Sequence, residues 1–295
     1  PGAPNLFAFP AQSNYSGVQH PLELVALAQA KGWHVLLDGA AYVPTNRLDL
    51  TACRPDFVSL SFYKIFGYPT GIGCLLARRP ALAKLARPWF AGGTITFASV
   101  QTQRHRLAPD EVGFEDGTVN YLTMPAVAIG LDFINQVGLE LIHKRVASLT
   151  GWLIETLLAL QHSNGRSLVH LHGPKNLAQR GGTLAMNFYD PAGRPFDVYR
   201  LEQRANRARI SLRTDCFCNP GANEIAHNLP APALNAYDQT EPAPTPASFY
   251  AYMQGHYGRT AAATRVSIGL ATNFADVYGF VTFVRRLLNK PAADF

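Results

Sequence analysis

Cysteine and charge are both scarce in this chain: 4 cysteines in 295 residues, and only 16% Asp, Glu, Lys and Arg. A chain of this length can bury a large core without cross-links, so the few cysteines fit a reducing compartment better than a disulfide framework. Low charge beside 47% hydrophobic residues excludes a disordered chain. The 26 basic and 20 acidic residues leave a formal charge of +6. The basic residues are scattered, however, with only short pairs such as Arg78-Arg79 and Arg285-Arg286. Without a long basic run, nucleic acid is not an expected partner, and small anions suit the charge at least as well. No uninterrupted apolar run spans a bilayer, so no membrane partner is expected. The start lacks the basic-then-apolar layout of a secretion signal, and a cytoplasmic location is the expectation. There is no initiator Met; Pro1-Gly2-Ala3-Pro4 reads as a chain entered midway. Also missing are a strand–GxGxxG–helix unit, a GxxxxGKS/T loop and any internal repeat.

What is present is an alternation of apolar strands and amphipathic helices. Asn5–Phe9 reads as a buried strand that delivers the polar loop Gln12-Ser13-Asn14-Tyr15-Ser16-Gly17. A helix over Pro21–Lys31 follows, stopped by Gly32. His34–Asp38, Asp56–Ser61 and Gly71–Leu76 read as further strands. This pattern predicts an α/β domain with a mainly parallel sheet, whose ligands sit beyond the carboxyl ends of the strands. Asn14, Asp38 and Lys64 all fall there. Met124 to Gln161 is apolar-periodic and helical, running into a second region. Strands are expected there at Ser167–Leu171, Thr183–Phe188, Ile210–Leu212 and Thr264–Ile268, with a last helix over Phe274–Leu288. Leu229–Ser248 is rich in Pro and Ala without a clear period and reads as a surface excursion. The expected division is 1–145 and 146–295.

Three residues and one cluster carry chemical potential. Lys64 lies among apolar and aromatic neighbours in Ser61-Phe62-Tyr63-Lys64-Ile65-Phe66-Gly67. Burial there makes an amine nucleophilic, whereas a snorkelling lysine is the bland alternative. Asp38 closes an apolar strand; it is either a helix cap or a carboxylate facing a ring nitrogen. Arg265 opens a strand and either binds a carboxylate in bidentate fashion or is merely structural. The cluster is Arg213-Thr214-Asp215-Cys216-Phe217-Cys218-Asn219-Pro220-Gly221-Ala222. Its Cys-x-Cys lacks a second cysteine pair for zinc, with His170 and His172 only weak partners, so no metal site is expected. Asn-Pro-Gly marks a turn, which puts the Cys218 thiol on a loop near Arg213, where a thiol is reactive. If the run entering the loop stays extended, Cys216 and Cys218 share a face, with Cys218 nearer the tip.

Together these stretches, with Leu6–Asn14, Leu36–Ala40 and Phe114-Glu115-Asp116-Gly117-Thr118, resemble the class V aminotransferase-like group of fold-type I pyridoxal-phosphate enzymes. Within it, the chain looks most like the cysteine-desulfurase domain of molybdenum cofactor sulfurases. The resemblance implies a large α/β domain, partial at its N-terminus, and a smaller C-terminal α+β domain. It implies that Lys64 holds pyridoxal phosphate as a Schiff base, that Asp38 pairs with the ring nitrogen, and that Asn14 lies near the phenolic oxygen. Ser61 and Tyr63 would hold the phosphate, and Gly117-Thr118 would reach the phosphate of a neighbouring subunit, hence a homodimer. Arg265, with Arg213, would bind the substrate carboxylate, and Cys218 would accept sulfur from L-cysteine. The final acceptor would be molybdenum cofactor or a separate acceptor protein. Another class V activity, such as an aminotransferase or selenocysteine lyase, and a non-catalytic degenerate scaffold are the rival readings. The chain departs from the family pattern at Ala41, where many relatives place glutamine, at Asp215, where they place glycine, and at Asn223, where several have cysteine. The family's N-terminal portion, which supplies a stacking ring and phosphate contacts, is not in the sequence, and weak cofactor binding is expected without it.

Overall fold

The computed structural model describes residues 5–240 and 245–295. The Pro1-Gly2-Ala3-Pro4 start and residues 241–244 of the Pro- and Ala-rich excursion lie outside them. Contacts divide the chain into two units: one runs through Ala11 and resumes over Pro21–Glu140, and the other joins Gln12–His20 to Leu141–Phe295.

In the first unit, β1 (Leu6–Pro10), α1 (Leu24–Ala30), β2 (His34–Asp38), β3 (Phe57–Ser61), α2 (Phe62–Phe66) and β4 (Gly73–Ala77) follow in order. The sheet order is β1-β2-β3-β4. β1, β2 and β3 are parallel and β4 runs antiparallel to β3, so the sheet is mainly parallel as the alternation of elements predicts. Val35, Leu37, Phe57 and Val58 fill the buried centre of β2 and β3. A short α3 (Arg79–Leu82) leads to the hairpin of β5 (Ile95–Ser99) and β6 (Arg104–Leu107). α4 (Pro125–Val137) and α5 (Leu139–Leu158) are separate helices, interrupted at Gly138 with φ 87°.

The second unit holds β7 (Val169–His172), β8 (Thr183–Phe188), α6 (Val198–Arg207), β9 (Arg213–Asp215), α7 (Pro220–His227), α8 (Ala231–Thr240), α9 (Pro246–Tyr257), β10 (Ala263–Ser267) and α10 (Phe274–Arg285). Its sheet is antiparallel throughout, in the order β7-β8-β10-β9. α5 and α10 each present a row of buried side chains, Ile142, Val146, Leu153 and Leu157 on one and Val277, Phe280, Val281 and Val284 on the other. Two expectations need correction. The strand expected at Ile210–Leu212 lies three residues later, because pairing with β10 begins at Arg213. The 229–248 excursion contains α8 and the start of α9; Thr245 caps α9 in a reciprocal box with Ser248, and Pro246 sits in its first turn. No single helix among the described residues is long and apolar enough to cross a membrane.

Candidate active site

In the first unit, two adjacent strand ends deliver the chemistry. Asp38 is the last residue of β2 and pairs in register with Ser59 of β3. One of its carboxylate oxygens, Oδ1, accepts the Ala40 N–H at 2.9 Å and the Ser59 hydroxyl at 3.3 Å. Oδ2 has no partner among the described residues, so the carboxylate is oriented by one oxygen and free at the other. Ser61 ends β3 and precedes α2, which carries Tyr63 and Lys64. Gly67 ends that helix at φ 85°, a left-handed conformation that glycine adopts without a Cβ clash.

Lys64 is not buried, contrary to the sequence expectation. Phe62 and Phe66, four residues apart, stack with centroids 6.2 Å apart, and Phe66 packs against Gly130 of α4. Lys64 stands two positions from each phenylalanine, on the opposite side of the helix. It is exposed, with its ammonium 5.9 Å from the Tyr63 ring centroid. Gly117 and Thr118 are exposed in a bend, where the Gly117 N–H donates to the Gly92 carbonyl at 2.6 Å.

This donor set fits pyridoxal phosphate. A free amine follows the end of β3, and a carboxylate oxygen with an unused lone pair stands at the end of the adjacent β2. Ser61 and Tyr63 add hydroxyls next to Lys64. Bound there, the cofactor would supply a sink for electrons released at an amino-acid α-carbon.

The second unit gathers Asn14, Arg213, Cys216, Cys218 and Arg265. Asn14 lies in the Gln12–His20 segment, which Arg180 ties down. That buried guanidinium donates to the carbonyls of Ser16 and Thr183, at 3.2 and 2.7 Å, and to that of Pro174. Burial lowers its pKa to about 10. Both ends of the Asn14 amide are used: Nδ2 donates to the Phe217 carbonyl at 2.7 Å, and Oδ1 accepts from Asn219 at 3.0 Å. Arg265 Nη1 donates to the Asn14 carbonyl at 2.8 Å, and its guanidinium carbon stands 4.8 Å from the Phe217 ring centroid. Arg265 Nε is buried without a partner. Burial first, then the like charge of Arg213, lowers the Arg265 guanidinium below its ordinary value, opposed by Cys218. Arg213 Nη2 donates to Cys218 Sγ at 3.4 Å, and Cys218 is exposed.

The cysteine loop is not extended. Phe217 and Cys218 have φ of 57° and 60°, and the Asn219 N–H donates to the Cys216 carbonyl at 3.0 Å, the closure of a tight primed turn. Asn-Pro-Gly does more than mark a turn: Asn219 caps α7 by accepting from the Ala222 N–H, with Pro220 in the first turn. That cap signal was legible in the sequence. Asp215 has φ 96°, and its Oδ1 accepts the following Cys216 N–H at 2.8 Å. Non-glycine residues pay roughly 1–3 kcal/mol in such conformations. Asp215→Gly should therefore raise the urea midpoint by about 1 kcal/mol equivalent after the added unfolded-state entropy; an unchanged or lower midpoint would show that the Asp215 hydrogen bond outweighs the strain.

Behind the loop lies a buried network that motif reasoning passed over. The Tyr15 hydroxyl donates to Asn223 Oδ1 at 3.1 Å and lies 3.2 Å from His227 Nε2. Asn223 donates in turn to the Ala261 carbonyl at 2.7 Å, so its buried amide is satisfied at both ends. Burial, then the neighbouring His172 and His170, pushes the His227 pKa down to about 3. The folded chain thus keeps His227 neutral while the unfolded chain protonates it below its ordinary value. Stability through this group is constant above that value and falls as pH drops, at about 1.4 kcal/mol per pH unit. Urea unfolding of the parent between pH 6.5 and 5 should show roughly 2 kcal/mol more loss than His227→Gln; parallel pH profiles for the two would refute a neutral His227.

Comparison with known proteins identifies the family. The aminotransferase class-V family pattern matches residues 2–278. The chain is 34% identical to a molybdenum cofactor sulfurase of Solanum lycopersicum over 95% of its length and 35% of that protein. It is 31% identical to a molybdenum cofactor sulfurase of Homo sapiens over 95% of its length and 33% of that protein. It therefore spans about a third of the length of these relatives. Among solved structures, it superposes on an apo cysteine desulfurase from Thermococcus onnurineus NA1 with a TM-score of 0.73 and 22% identity, covering 96% of this chain and 60% of that one. A cystine C–S lyase in complex with its product cysteine persulfide gives a TM-score of 0.68 at 16% identity, covering 96% of this chain and 61% of that one.

Proposed function

The chain belongs to the class V aminotransferase family, and from that premise we propose that it is a pyridoxal-phosphate-dependent cysteine desulfurase that places the sulfur of L-cysteine on Cys218 and releases alanine. The observation that carries the reading is the turn that exposes Cys218 with Arg213 at its sulfur, beside a half-buried Arg265 that lacks a carboxylate partner among the described residues. Such a pair of guanidiniums suits the carboxylate of an amino-acid substrate, and such a thiol suits attack on the substrate's sulfur.

In this reading, Asp38 uses its free oxygen to keep a ring nitrogen protonated, and Ser61 and Tyr63 hold the phosphate. Lys64 anchors the cofactor and then removes the substrate α-proton. Arg265 and Arg213 fix the carboxylate. The Cys218 thiolate forms a bond to the substrate sulfur as the Cβ–S bond breaks; Cβ keeps the electron pair and gains a proton, which leaves alanine and a persulfide. Gly117 and Thr118 serve a neighbouring subunit in a homodimer. The proposed final acceptor is molybdenum cofactor, on the strength of the relatives' names, or a separate acceptor protein that carries the sulfur onward, and a reducing cytoplasm suits a persulfide carrier.

The test is to supply L-cysteine to the full chain, Cys218→Ser and Cys216→Ser, trap persulfide by alkylation and measure alanine. Alanine with a persulfide that disappears in Cys218→Ser is the expected result. Persulfide retained in Cys218→Ser and lost in Cys216→Ser would assign the wrong cysteine. A keto acid in place of alanine would point to an aminotransferase.

A further inference from the structure

The turn from Cys216 to Asn219 gives its two thiols different surroundings. Cys218 is exposed, 3.4 Å from Arg213 and within electrostatic reach of Arg265. Cys216 is half-buried and lines a separate cavity of about 290 Å³, which it shares with Asp215, Glu224, Tyr237 and Phe249 but not with Cys218. Phe217, between them, is 1% exposed and packs on Tyr15 with centroids 5.2 Å apart. The turn is thus pinned through its middle, between a cysteine that lines the cavity and an exposed one beside Arg213. Two residues of chain keep the Cα atoms within about 7 Å of each other. Three of the four residues Asp215–Cys218 hold positive φ without being glycine, and strain of that kind persists where the surroundings enforce it.

We propose that Cys216 is a second sulfur carrier, taking the sulfur loaded on Cys218 and presenting it in the cavity on its own side of the turn. The proposal rests on the desulfurase reading for the origin of the sulfur. The Cys216 thiolate attacks the outer sulfur of the Cys218 persulfide. An S–S bond to Cys216 forms as the S–S bond to Cys218 breaks; Cys218 leaves with the electron pair and takes the proton that Cys216 gave up. A persulfide and a thiol become a thiol and a persulfide, so no oxidant or reductant is required. Arg213, donating to the Cys218 sulfur, stabilises the charge of the leaving group, which favours departure from Cys218. Among the described residues, the cavity lining contains the carboxylates of Asp215 and Glu224 and no lysine or arginine. A neutral or cationic acceptor fits that outlet better than an anionic one, the reverse of the surroundings of Cys218.

Inorganic polysulfide tests the relay, because it loads reactive thiols without turnover of cysteine. The full chain is exposed to polysulfide, quenched with an alkylating agent over time and mapped by peptide mass spectrometry. Sulfur should reach Cys218 first and Cys216 second. In Cys218→Ser, labelling of Cys216 should slow by at least about tenfold, since an intramolecular donor is lost. Equal labelling of Cys216 in parent and Cys218→Ser, or sulfur that stays on Cys218 throughout, would overturn the relay. Discharge supplies a second readout. Cysteamine should drain the loaded parent faster than mercaptoacetate, and Cys216→Ser should lose or reverse that preference; the same preference in both proteins would remove Cys216 as the outlet. Repeating the map with L-cysteine separates the two proposals. Movement from Cys218 to Cys216 with polysulfide, without loading by cysteine, would sink the desulfurase reading and leave the relay standing.

Discussion

Lys64→Ala should abolish borohydride-reducible attachment of pyridoxal phosphate, its visible absorption band and all turnover of cysteine. Lys64 carries the one side-chain amine in α2, next to the ends of β2 and β3, and no second lysine stands in that helix. Loss of a general base alone lowers a rate by roughly 10²–10⁴-fold, and loss of the covalent anchor adds to that. The usual objection, that the variant fails to fold, is weak here. Lys64 is exposed, the buried face of α2 belongs to Phe62 and Phe66, and alanine is a better helix former than lysine. The urea midpoint should therefore stay within about 0.5 kcal/mol of the parent. A folded Lys64→Ala protein that keeps the reducible chromophore would show that another amine holds the cofactor. Asp38→Ala offers a graded companion: on the proposed roles it should keep the reducible attachment while slowing turnover, because it would remove the partner of the ring nitrogen and not the anchor.

The parts of this arrangement that were legible in the sequence are those written in short-range patterns. Apolar runs ending in Asp38 and Ser61 give adjacent strands because alternation with helices leaves few other ways to bury them. The Asn-Pro-Gly after Cys218 is also local, although it signals a capped helix as well as a turn. What stayed hidden is long-range. Nothing near Asn14 in the sequence says that its amide bridges Phe217 and Asn219, more than 200 residues away. Nor does any motif announce the Tyr15–Asn223–His227 network, since its members only look functional once buried together. Lys64 shows the opposite error. Its hydrophobic neighbours are real, but helical geometry points them away from it, so a list of adjacent residue types overstates how far the amine is buried.

Arg265→Ala should weaken binding of L-cysteine by roughly 2–5 kcal/mol, on the order of 30-fold to several-thousand-fold, while cofactor retention holds. The guanidinium is half-buried with an unpartnered Nε, lies beside the like charge of Arg213 and has no carboxylate partner among the described residues. Two cations held together in this way are costly until an anion arrives, and on the proposed function the substrate carboxylate would supply one. Arg265 also donates to the Asn14 carbonyl and lies over the Phe217 ring, so its loss could act by loosening the cysteine loop instead. Cysteamine separates the two roles, because it keeps the amine and the thiol and lacks the carboxylate. If Arg265 binds the carboxylate, parent and variant take up cysteamine equally and differ only with cysteine. If Arg265 merely braces the loop, both ligands suffer alike and the urea midpoint drops. Arg265→Lys should fall between, keeping the charge and losing the planar fork. Equal affinity of parent and Arg265→Ala for cysteine in a spectral titration would remove Arg265 from the substrate site and leave Arg213 as the remaining guanidinium beside Cys218.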